Sequence, residues 1–181
     1  TFIIAGAMAG SELTVTNCEP AHVTALIDHL RRMGVTMEVG PDWVKVRGVE
    51  RPAAVDVHTD FYPGFPTDLQ AQIMAMATRA QGTTVINEGI YHDRFTHVAE
   101  LVRLGARIQV NEATARVEGV EQLSGAQVMA SDLRASAALI LAALVAEGQT
   151  VIGRVYHIDR GYDSIEKKLN AAGAQITRVR E

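Results

Sequence analysis

Residues 133–145 have the sequence LRASAALILAALV, which as a helix would be apolar around almost its whole circumference. Residues 73–80, with the sequence IMAMATRA, share this character. A helix that is apolar all round is covered on every side in the folded protein. In segments 97–104 and 164–172, by contrast, apolar residues recur at three- and four-residue steps and charged residues take the other face. We therefore expect two kinds of helix, one central and one half exposed.

A unit of helix, short strand, helix and strand recurs along the chain, which predicts three related copies. The first helix of each copy is followed by a glycine, and these glycines lie 72 and 66 residues apart, at Gly10, Gly82 and Gly148. The second helix is also followed by a glycine, at Gly34, Gly105 and Gly173, where a C-terminal cap requires a positive φ. The last strand of the third copy is predicted at residues 176–179.

Helices inside and strands outside reverse the usual layer order of α/β proteins, and an inside-out α/β barrel with threefold pseudo-symmetry satisfies this pattern. The length of 181 residues suits one domain, and no linker interrupts it. We predict a single domain over residues 1–181, with repeats roughly at 1–58, 59–129 and 130–181. The chain starts without Met inside an apolar, helix-forming run, so we expect further sequence upstream.

The overall composition argues against several classes of partner. A net charge of -4 provides no basic field for nucleic acid. The longest apolar stretch, residues 135–146, is too short to span a bilayer, and no signal peptide opens the chain. The single cysteine, Cys18, cannot form an intrachain disulfide and fits a reducing compartment. We predict a soluble, cytoplasmic protein with no membrane or nucleic-acid partner.

The sequence also shows no metal or cofactor signature. The histidines His92, His97 and His157 lack the spacing of metal ligands on one face, and no Cys or Glu cluster completes a set. The glycines occur singly rather than in a phosphate-binding loop. We therefore predict that the protein uses neither a metal nor a cofactor.

Residues 65–70, FPTDLQ, form the first candidate site. Pro66 disfavours helix before it, and Thr67 with Gln70 has the pattern of a capping box, so Asp68 is expected in the first helical turn. Two interpretations of Asp68 are open. Its carboxylate stabilises the helix dipole, or it is a general base that accepts a proton from a substrate hydroxyl.

Residues 130–136, ASDLRAS, repeat this design one copy later. Ser131 is the predicted N-cap, and Asp132 holds the position equivalent to Asp68. Arg134 opposes the helix dipole in a first turn, so its guanidinium requires an anion. That anion is either a substrate or a carboxylate of the protein, such as Asp132 or Glu147.

Two further loops occupy equivalent positions, GIYHDRF at residues 89–95 and VYHIDRGY at residues 155–162. Each places an Asp-Arg pair before the second helix of its copy. Arg94 and Arg160 are therefore expected to converge on one cleft, where planar guanidinium forks match phosphate and carboxylate. The alternative is that each Asp-Arg pair is a solvated surface feature.

Four segments in this order closely resemble the UDP-N-acetylglucosamine 1-carboxyvinyltransferases, a family of enolpyruvyl transferases. They are FPTDLQAQ at 65–72, DRF at 93–95, SGAQVMASDLRA at 124–135 and YHIDRGY at 156–162. The resemblance spans the whole chain. That family has two inside-out α/β domains of three repeats each, with the active site in the cleft between them. The resemblance implies that this chain is the C-terminal domain and that its N-terminal catalytic domain is missing.

The resemblance also implies a reaction. An enolpyruvyl group passes from phosphoenolpyruvate to the 3-hydroxyl of UDP-N-acetylglucosamine by addition and elimination, and phosphate is released. This transfer is the first committed step of peptidoglycan synthesis in the bacterial cytoplasm, and cell wall biogenesis, cell shape and cell division depend on it.

Three residues match family positions near the nucleotide sugar. Asp68 corresponds to the carboxylate that binds the sugar 3-hydroxyl and is proposed to deprotonate it. Ile90 corresponds to a residue whose backbone contacts the nucleotide sugar, and Thr67 lies beside them.

Three arginines match family positions for the anionic substrate. Arg160 corresponds to an arginine that meets phosphoenolpyruvate as the cleft closes, and Arg94 and Arg134 line the same pocket. Three guanidinium groups are the electrostatic complement of such an anion and of its tetrahedral adduct.

The chain departs from the family in its loop, where His92-Asp93 replaces the usual Glu-Asn. The family's general-acid cysteine and phosphoenolpyruvate lysine lie outside this chain, and Cys18 is not that cysteine. We therefore expect the chain alone to be inactive, because catalysis requires both walls of the cleft. Two alternatives are a silent module that binds a nucleotide sugar or an anion, and a purely structural domain. The retained Asp68 and arginines speak against the structural domain.

Overall fold

A computed structural model describes residues 1–10 and 12–179 of the chain. Its helices are α1 (Phe2–Met8), α2 (Thr24–Arg32), α3 (Gln70–Ala77), α4 (Val98–Arg103), α5 (Leu133–Leu144) and α6 (Ile165–Ala171). Every residue of α3 is buried, and most of α1 and α5 is buried too. Helices α2, α4 and α6 bury one side only. The prediction of two kinds of helix is confirmed.

The three buried helices form the centre of the molecule. Helix α3 packs along α5, and α1 contacts both. Ile4, Met74 and Leu139, one from each helix, are fully buried. Gly6 lets α1 lie directly against the strands, because a Cβ at this position would be 2.5 Å from Val46 Cγ2. A larger residue would push the helix away from the sheet.

The strands form sheets around these helices. They are β1 (Glu12–Thr16), β2 (Thr36–Val39), β3 (Trp43–Arg47), β4 (Val57–Thr59), β5 (Thr83–Glu88), β6 (Arg107–Asn111), β7 (Thr114–Glu118), β8 (Leu123–Ser124), β9 (Gln127–Met129), β10 (Ala146–Glu147) and β11 (Val151–Gly153). The first sheet is antiparallel, in the order β1-β3-β2. The second has the order β4-β5-β7-β6, and β4 runs parallel to β5. Two short parallel pairs, β10-β8 and β11-β9, each join a strand at the end of the second predicted copy to a strand of the third.

Alternating burial along the strands shows which face of each sheet meets the helices. In β3, Val44 and Val46 are fully buried, while Arg47 points outward and forms an ion pair with Glu12. Because side chains alternate between the two faces of a strand, one face packs on the central helices and the other meets solvent. The arrangement is the inside-out α/β barrel that the sequence predicted.

The third copy differs from the prediction at its end. Residues 176–179 form no strand. The backbone N–H of Ile176 instead donates to Asn170 Oδ1 at 2.8 Å, and the Ile176 carbonyl accepts from Asn170 Nδ2 at 2.7 Å. The helix-capping glycines Gly34, Gly105 and Gly173 have φ of 94°, 93° and 101°, as the repeat predicted.

Candidate functional site

Asp68 and Arg134 form a fork-shaped ion pair between two copies of the repeat. Asp68 lies in a 3₁₀ turn, Thr67–Leu69, just before α3, and Arg134 lies in the first turn of α5. Arg134 Nε donates to Asp68 Oδ1 at 3.0 Å and Arg134 Nη2 donates to Asp68 Oδ2 at 2.7 Å. Two parallel charge-assisted bonds fix both the distance and the orientation of the carboxylate.

Arg94 reaches the same carboxylate from the loop that follows β5. Its Nη1 donates to Asp68 Oδ1 at 2.7 Å. The guanidinium carbon of Arg94 lies 5.2 Å from the centroid of the Tyr91 ring, within range of a cation–π interaction. Asp68 is therefore held between two guanidinium groups that belong to different copies of the repeat.

The pKa of Asp68 reflects opposing effects of the two arginines and of partial burial. Hydrogen bonds from Arg134 lower the pKa of Asp68, partial burial opposes this effect, and hydrogen bonds from Arg94 lower the pKa further. The same pairing with Asp68 raises the pKa of Arg134. The Asp68 side chain remains 56% exposed, so a ligand can reach it. In this arrangement the carboxylate is ionised, but it is a weak base because the guanidinium groups bind its oxygens.

The N-terminus of α5 is capped by Asp132, and the prediction of Ser131 as the cap is wrong. Asp132 Oδ1 accepts from the backbone N–H of Arg134 at 2.8 Å and of Ala135 at 3.0 Å. Its other oxygen accepts from the hydroxyls of Ser131 and Thr96, both at 3.1 Å. A carboxylate satisfies two free N–H groups of the helix start, and Asp132 has the extended backbone that an N-cap requires.

The capping box predicted for Thr67 and Gln70 is also absent. The segment starts as a 3₁₀ turn after Pro66, and the backbone N–H of Leu69 bonds to the Pro66 carbonyl at 2.9 Å. Within the described part of the chain, Thr67 Oγ1 and both amide atoms of Gln70 are buried without a hydrogen-bond partner. The tighter turn changes the direction of the first N–H groups, so the reciprocal bonds of a capping box do not form.

The predicted sugar-contacting residue, Ile90, is half buried in the loop that carries Arg94. Its backbone N–H donates to Glu88 Oε1 at 3.1 Å. The family-like role of Ile90 toward a nucleotide sugar stays a prediction. Thr67 adjoins Asp68 in the chain, but its hydroxyl is buried.

A cleft of about 340 Å³ lies beside the ion-pair cluster. Its lining includes Asp68, Arg134, Gly161 and Tyr162. Arg160 is exposed at the end of the 3₁₀ segment Val155–Arg160, next to Gly161. The structure thus brings Arg94 and Arg134 to Asp68 and leaves Arg160 outside this cluster, so the convergence of all three arginines stays a prediction.

Over residues 1–10 and 12–179, no group of three or more His, Cys, Asp or Glu side chains is arranged to hold a metal ion. No helix in the same part of the chain has the length and apolar character needed to cross a membrane. Cys18 is half buried as a free thiol.

The chain is similar in sequence to known proteins over most of its length. The profile of the EPSP synthase (3-phosphoshikimate 1-carboxyvinyltransferase) family matches residues 1–169. A relative from Acidobacterium capsulatum, named UDP-N-acetylglucosamine 1-carboxyvinyltransferase, is 54% identical over 99% of this chain and 41% of its own length. A relative of the same name from Koribacter versatilis is 54% identical over 100% of this chain and 42% of its own length. The chain thus spans about two fifths of the length of these relatives.

Solved structures agree with the sequence matches. The enolpyruvyl transferase NikO from Streptomyces tendae superposes with a TM-score of 0.87 and 31% identity, covering 96% of this chain and 42% of that one. EPSP synthase from Acinetobacter baumannii superposes with a TM-score of 0.71 at 23% identity over 98% of this chain and 42% of that one, which shows a shared fold. The chain belongs to the EPSP synthase family and has the fold of the enolpyruvyl transferases.

Proposed function

We propose that this chain is the C-terminal domain of a UDP-N-acetylglucosamine 1-carboxyvinyltransferase and forms one wall of its active site. The observation that carries the proposal is the Asp68 carboxylate, held at an open cleft between Arg94 and Arg134. The choice of acceptor is supported by the names of the 54% identical relatives. The EPSP synthase from Acinetobacter baumannii, in contrast, is 23% identical to this chain.

The reaction has two steps. First, the sugar 3-hydroxyl loses its proton, its oxygen bonds to C2 of phosphoenolpyruvate, and the methylene carbon gains a proton to become a methyl group. Second, the bond from C2 to the phosphate oxygen breaks, phosphate leaves, and the methyl group loses a proton to restore the double bond. The product is the enolpyruvyl ether of the sugar nucleotide.

Arg94 and Arg134 bind the anionic groups of phosphoenolpyruvate and of the tetrahedral adduct. Both arginine side chains are partly exposed, Arg94 at 22% and Arg134 at 37%. Each can therefore exchange a bond to Asp68 for a bond to a carboxylate or phosphate group of the substrate. Once bound to the substrate, the guanidinium groups stabilise the charge of the tetrahedral adduct through charge-assisted hydrogen bonds. Arg160, which precedes the cleft-lining residue Gly161 in the chain, would add a third guanidinium when the cleft closes.

Asp68 is the general base of this proposal. With both arginines bound, its depressed pKa makes it a poor proton acceptor. An anionic substrate that draws the guanidinium groups away frees the carboxylate oxygens and raises the pKa of Asp68. The base is then active only after phosphoenolpyruvate has bound, which couples deprotonation of the sugar to the presence of its reaction partner.

The loop after β5, which carries Ile90, and the turn before α3, which carries Thr67, position the sugar nucleotide beside Asp68. The backbone of Ile90 contacts the nucleotide sugar, and Thr67 lies next to the base that accepts the 3-hydroxyl proton. The remaining part of the longer protein supplies the general-acid cysteine and the lysine that meets phosphoenolpyruvate. The complete enzyme acts in the bacterial cytoplasm, in peptidoglycan synthesis and cell wall biogenesis.

Phosphate release tests the proposal. The longer protein that contains this chain is mixed with phosphoenolpyruvate and either UDP-N-acetylglucosamine or shikimate 3-phosphate. We expect release with the sugar nucleotide only, and none from the 181-residue chain alone. Release with shikimate 3-phosphate would overturn the choice of acceptor. Turnover by the isolated chain would overturn its assignment as one wall of a two-walled site.

A further inference from the structure

Glu88, at the end of β5, is a buried carboxylate. It is 2% exposed. Its Oε1 accepts from the Thr59 hydroxyl at 2.6 Å and from the backbone N–H groups of Ile90 at 3.1 Å and Tyr91 at 3.0 Å. A buried carboxylate is costly unless hydrogen bonds compensate it, so these three donors stabilise both the side chain and the conformation of the loop.

Thr59, at the end of β4, completes the arrangement. It is fully buried and lies opposite Glu88 in the parallel pairing of β4 with β5. Its hydroxyl donates to Glu88 and accepts from the backbone N–H of Gly89 at 2.9 Å. Three consecutive N–H groups, at residues 89–91, are therefore bound by two buried side chains.

The pair joins the starting points of two loops. The chain leaves β4 after Thr59 and reaches Asp68 through a loop closed by the bond from Asp60 N–H to the Phe65 carbonyl at 2.9 Å. It leaves β5 after Glu88 and reaches Ile90 and then Arg94. The hydroxyl–carboxylate bond between the two strand ends thus fixes the relative positions of both loops.

Contacts continue from this pair to the candidate base. Glu88 holds the backbone of Tyr91, the Tyr91 ring lies under the guanidinium of Arg94, and Arg94 donates to Asp68. Space is tight at the start of this path, because a Cβ on Gly89 would lie 2.6 Å from the Thr59 carbonyl oxygen. A rotation of the loop at Gly89 would displace Arg94, because the backbone N–H of Arg94 bonds to the Tyr91 carbonyl at 3.0 Å.

We propose that Thr59 and Glu88 are positioning residues of the enolpyruvyl transfer, which set the loop of Ile90 and Arg94 against Asp68. The inference rests on the proposed function. Neither side chain touches a reacting atom, so both act through the loop.

The matched variants Thr59→Ser and Thr59→Ala separate the hydroxyl from the rest of the side chain, since Ala differs from Ser only by that group. In the complete enzyme, we expect Thr59→Ala to lower kcat/KM per folded protein by about tenfold to a hundredfold, as small misplacements do. Hydrogen exchange at the amides of residues 89–91 should become faster. Thr59→Ser should restore both quantities to near the values of the unmodified enzyme.

Two results would overturn the inference. In one, Thr59→Ala leaves amide exchange at residues 89–91 unchanged, so the pair does not hold the loop. In the other, exchange becomes faster but kcat/KM stays within about twofold, so the held loop does not serve the reaction. If Thr59→Ala does not fold, Glu88→Gln takes its place, because removal of the charge weakens the acceptor and predicts an intermediate change in both quantities.

The proposed function can fail separately. An unmodified complete enzyme that releases no phosphate from the two substrates contradicts the proposed function. The amide exchange of the same variants then still shows whether Thr59 and Glu88 fix the loop.

Discussion

Substitution of Asp68 by Ala should reduce the rate of the complete enzyme far more than its stability. The Asp68 side chain is 56% exposed, and its partners Arg94 and Arg134 are 22% and 37% exposed. Exposed ion pairs contribute about 0.2–1 kcal/mol each. Loss of both pairs should therefore lower the free energy of unfolding by at most about 2 kcal/mol.

The effect on the rate should be larger because Asp68 is the proposed base. A positioned general base contributes about 10²–10⁴-fold. This range corresponds to about 3–5 kcal/mol of transition-state stabilisation. Asp68→Asn keeps the shape and one acceptor oxygen for the arginines but cannot take a proton, so its rate should fall nearly as far as that of Asp68→Ala.

The assay is phosphate release at saturating UDP-N-acetylglucosamine and phosphoenolpyruvate, with urea unfolding of the same preparations. The stability difference between wild type and Asp68→Ala also has a predicted pH dependence. The pKa of Asp68 is lowered in the folded state. Its contribution is therefore complete above the unfolded pKa and disappears as the pH falls through the folded one. A rate for Asp68→Asn within about threefold of wild type would refute the role of Asp68 as the base.

Two predictions concern the folded core. Burial lowers the pKa of His97 to about 4 from 6.5, so the unfolded chain binds a proton in this range that the folded chain does not. As the pH falls from 6.5 to about 4, the free energy of unfolding should therefore decrease by about 1.4 kcal/mol for each pH unit. His97→Gln should lack this contribution to the pH dependence, which urea unfolding across the same pH range measures. Leu139→Ala in α5 should lower the free energy of unfolding, measured in urea, by about 3–5 kcal/mol, because Leu139 is fully buried. Val102 is 45% exposed, so Val102→Ala should change the free energy of unfolding by no more than about 0.5 kcal/mol. Equal effects of the Leu139 and Val102 substitutions would contradict the central position of α5.

The layer order could be predicted because burial leaves a local pattern. The all-round apolar segments at 73–80 and 133–145 lie largely within the buried helices α3 and α5, and the one-sided segments at 97–104 and 164–172 match α4 and α6. The prediction of the α5 N-cap was wrong, because a cap hydrogen bond depends on the exact backbone geometry of the capping residue. Ser131 and Asp132 are both acceptable N-caps by residue type, and only the extended backbone at residue 132 selects Asp132.

In the candidate site, too, the sequence predicted residue types but not the contacts between distant residues. Arg134 in a first helical turn indicates an anionic partner from sequence alone, either a substrate or a carboxylate of the protein such as Asp132 or Glu147. The partner is Asp68, which lies 66 residues away in the chain. Glu88 and Thr59 gave no sequence signal, because a buried carboxylate at a strand end looks like any other polar residue near a loop.

The sequence by itself determined the central and outer helices and the residue types available to bind an anion, because periodicity and side-chain chemistry are local properties. Only the tertiary structure decided that Asp68 lies between Arg94 and Arg134 and that Thr59 meets Glu88. Arg134 and Asp68 lie in different predicted copies, Arg94 and Asp68 in different loops of one copy, and Thr59 and Glu88 on neighbouring strands. These contacts depend on how α3 packs along α5 and on the pairing of β4 with β5, which no local pattern specifies.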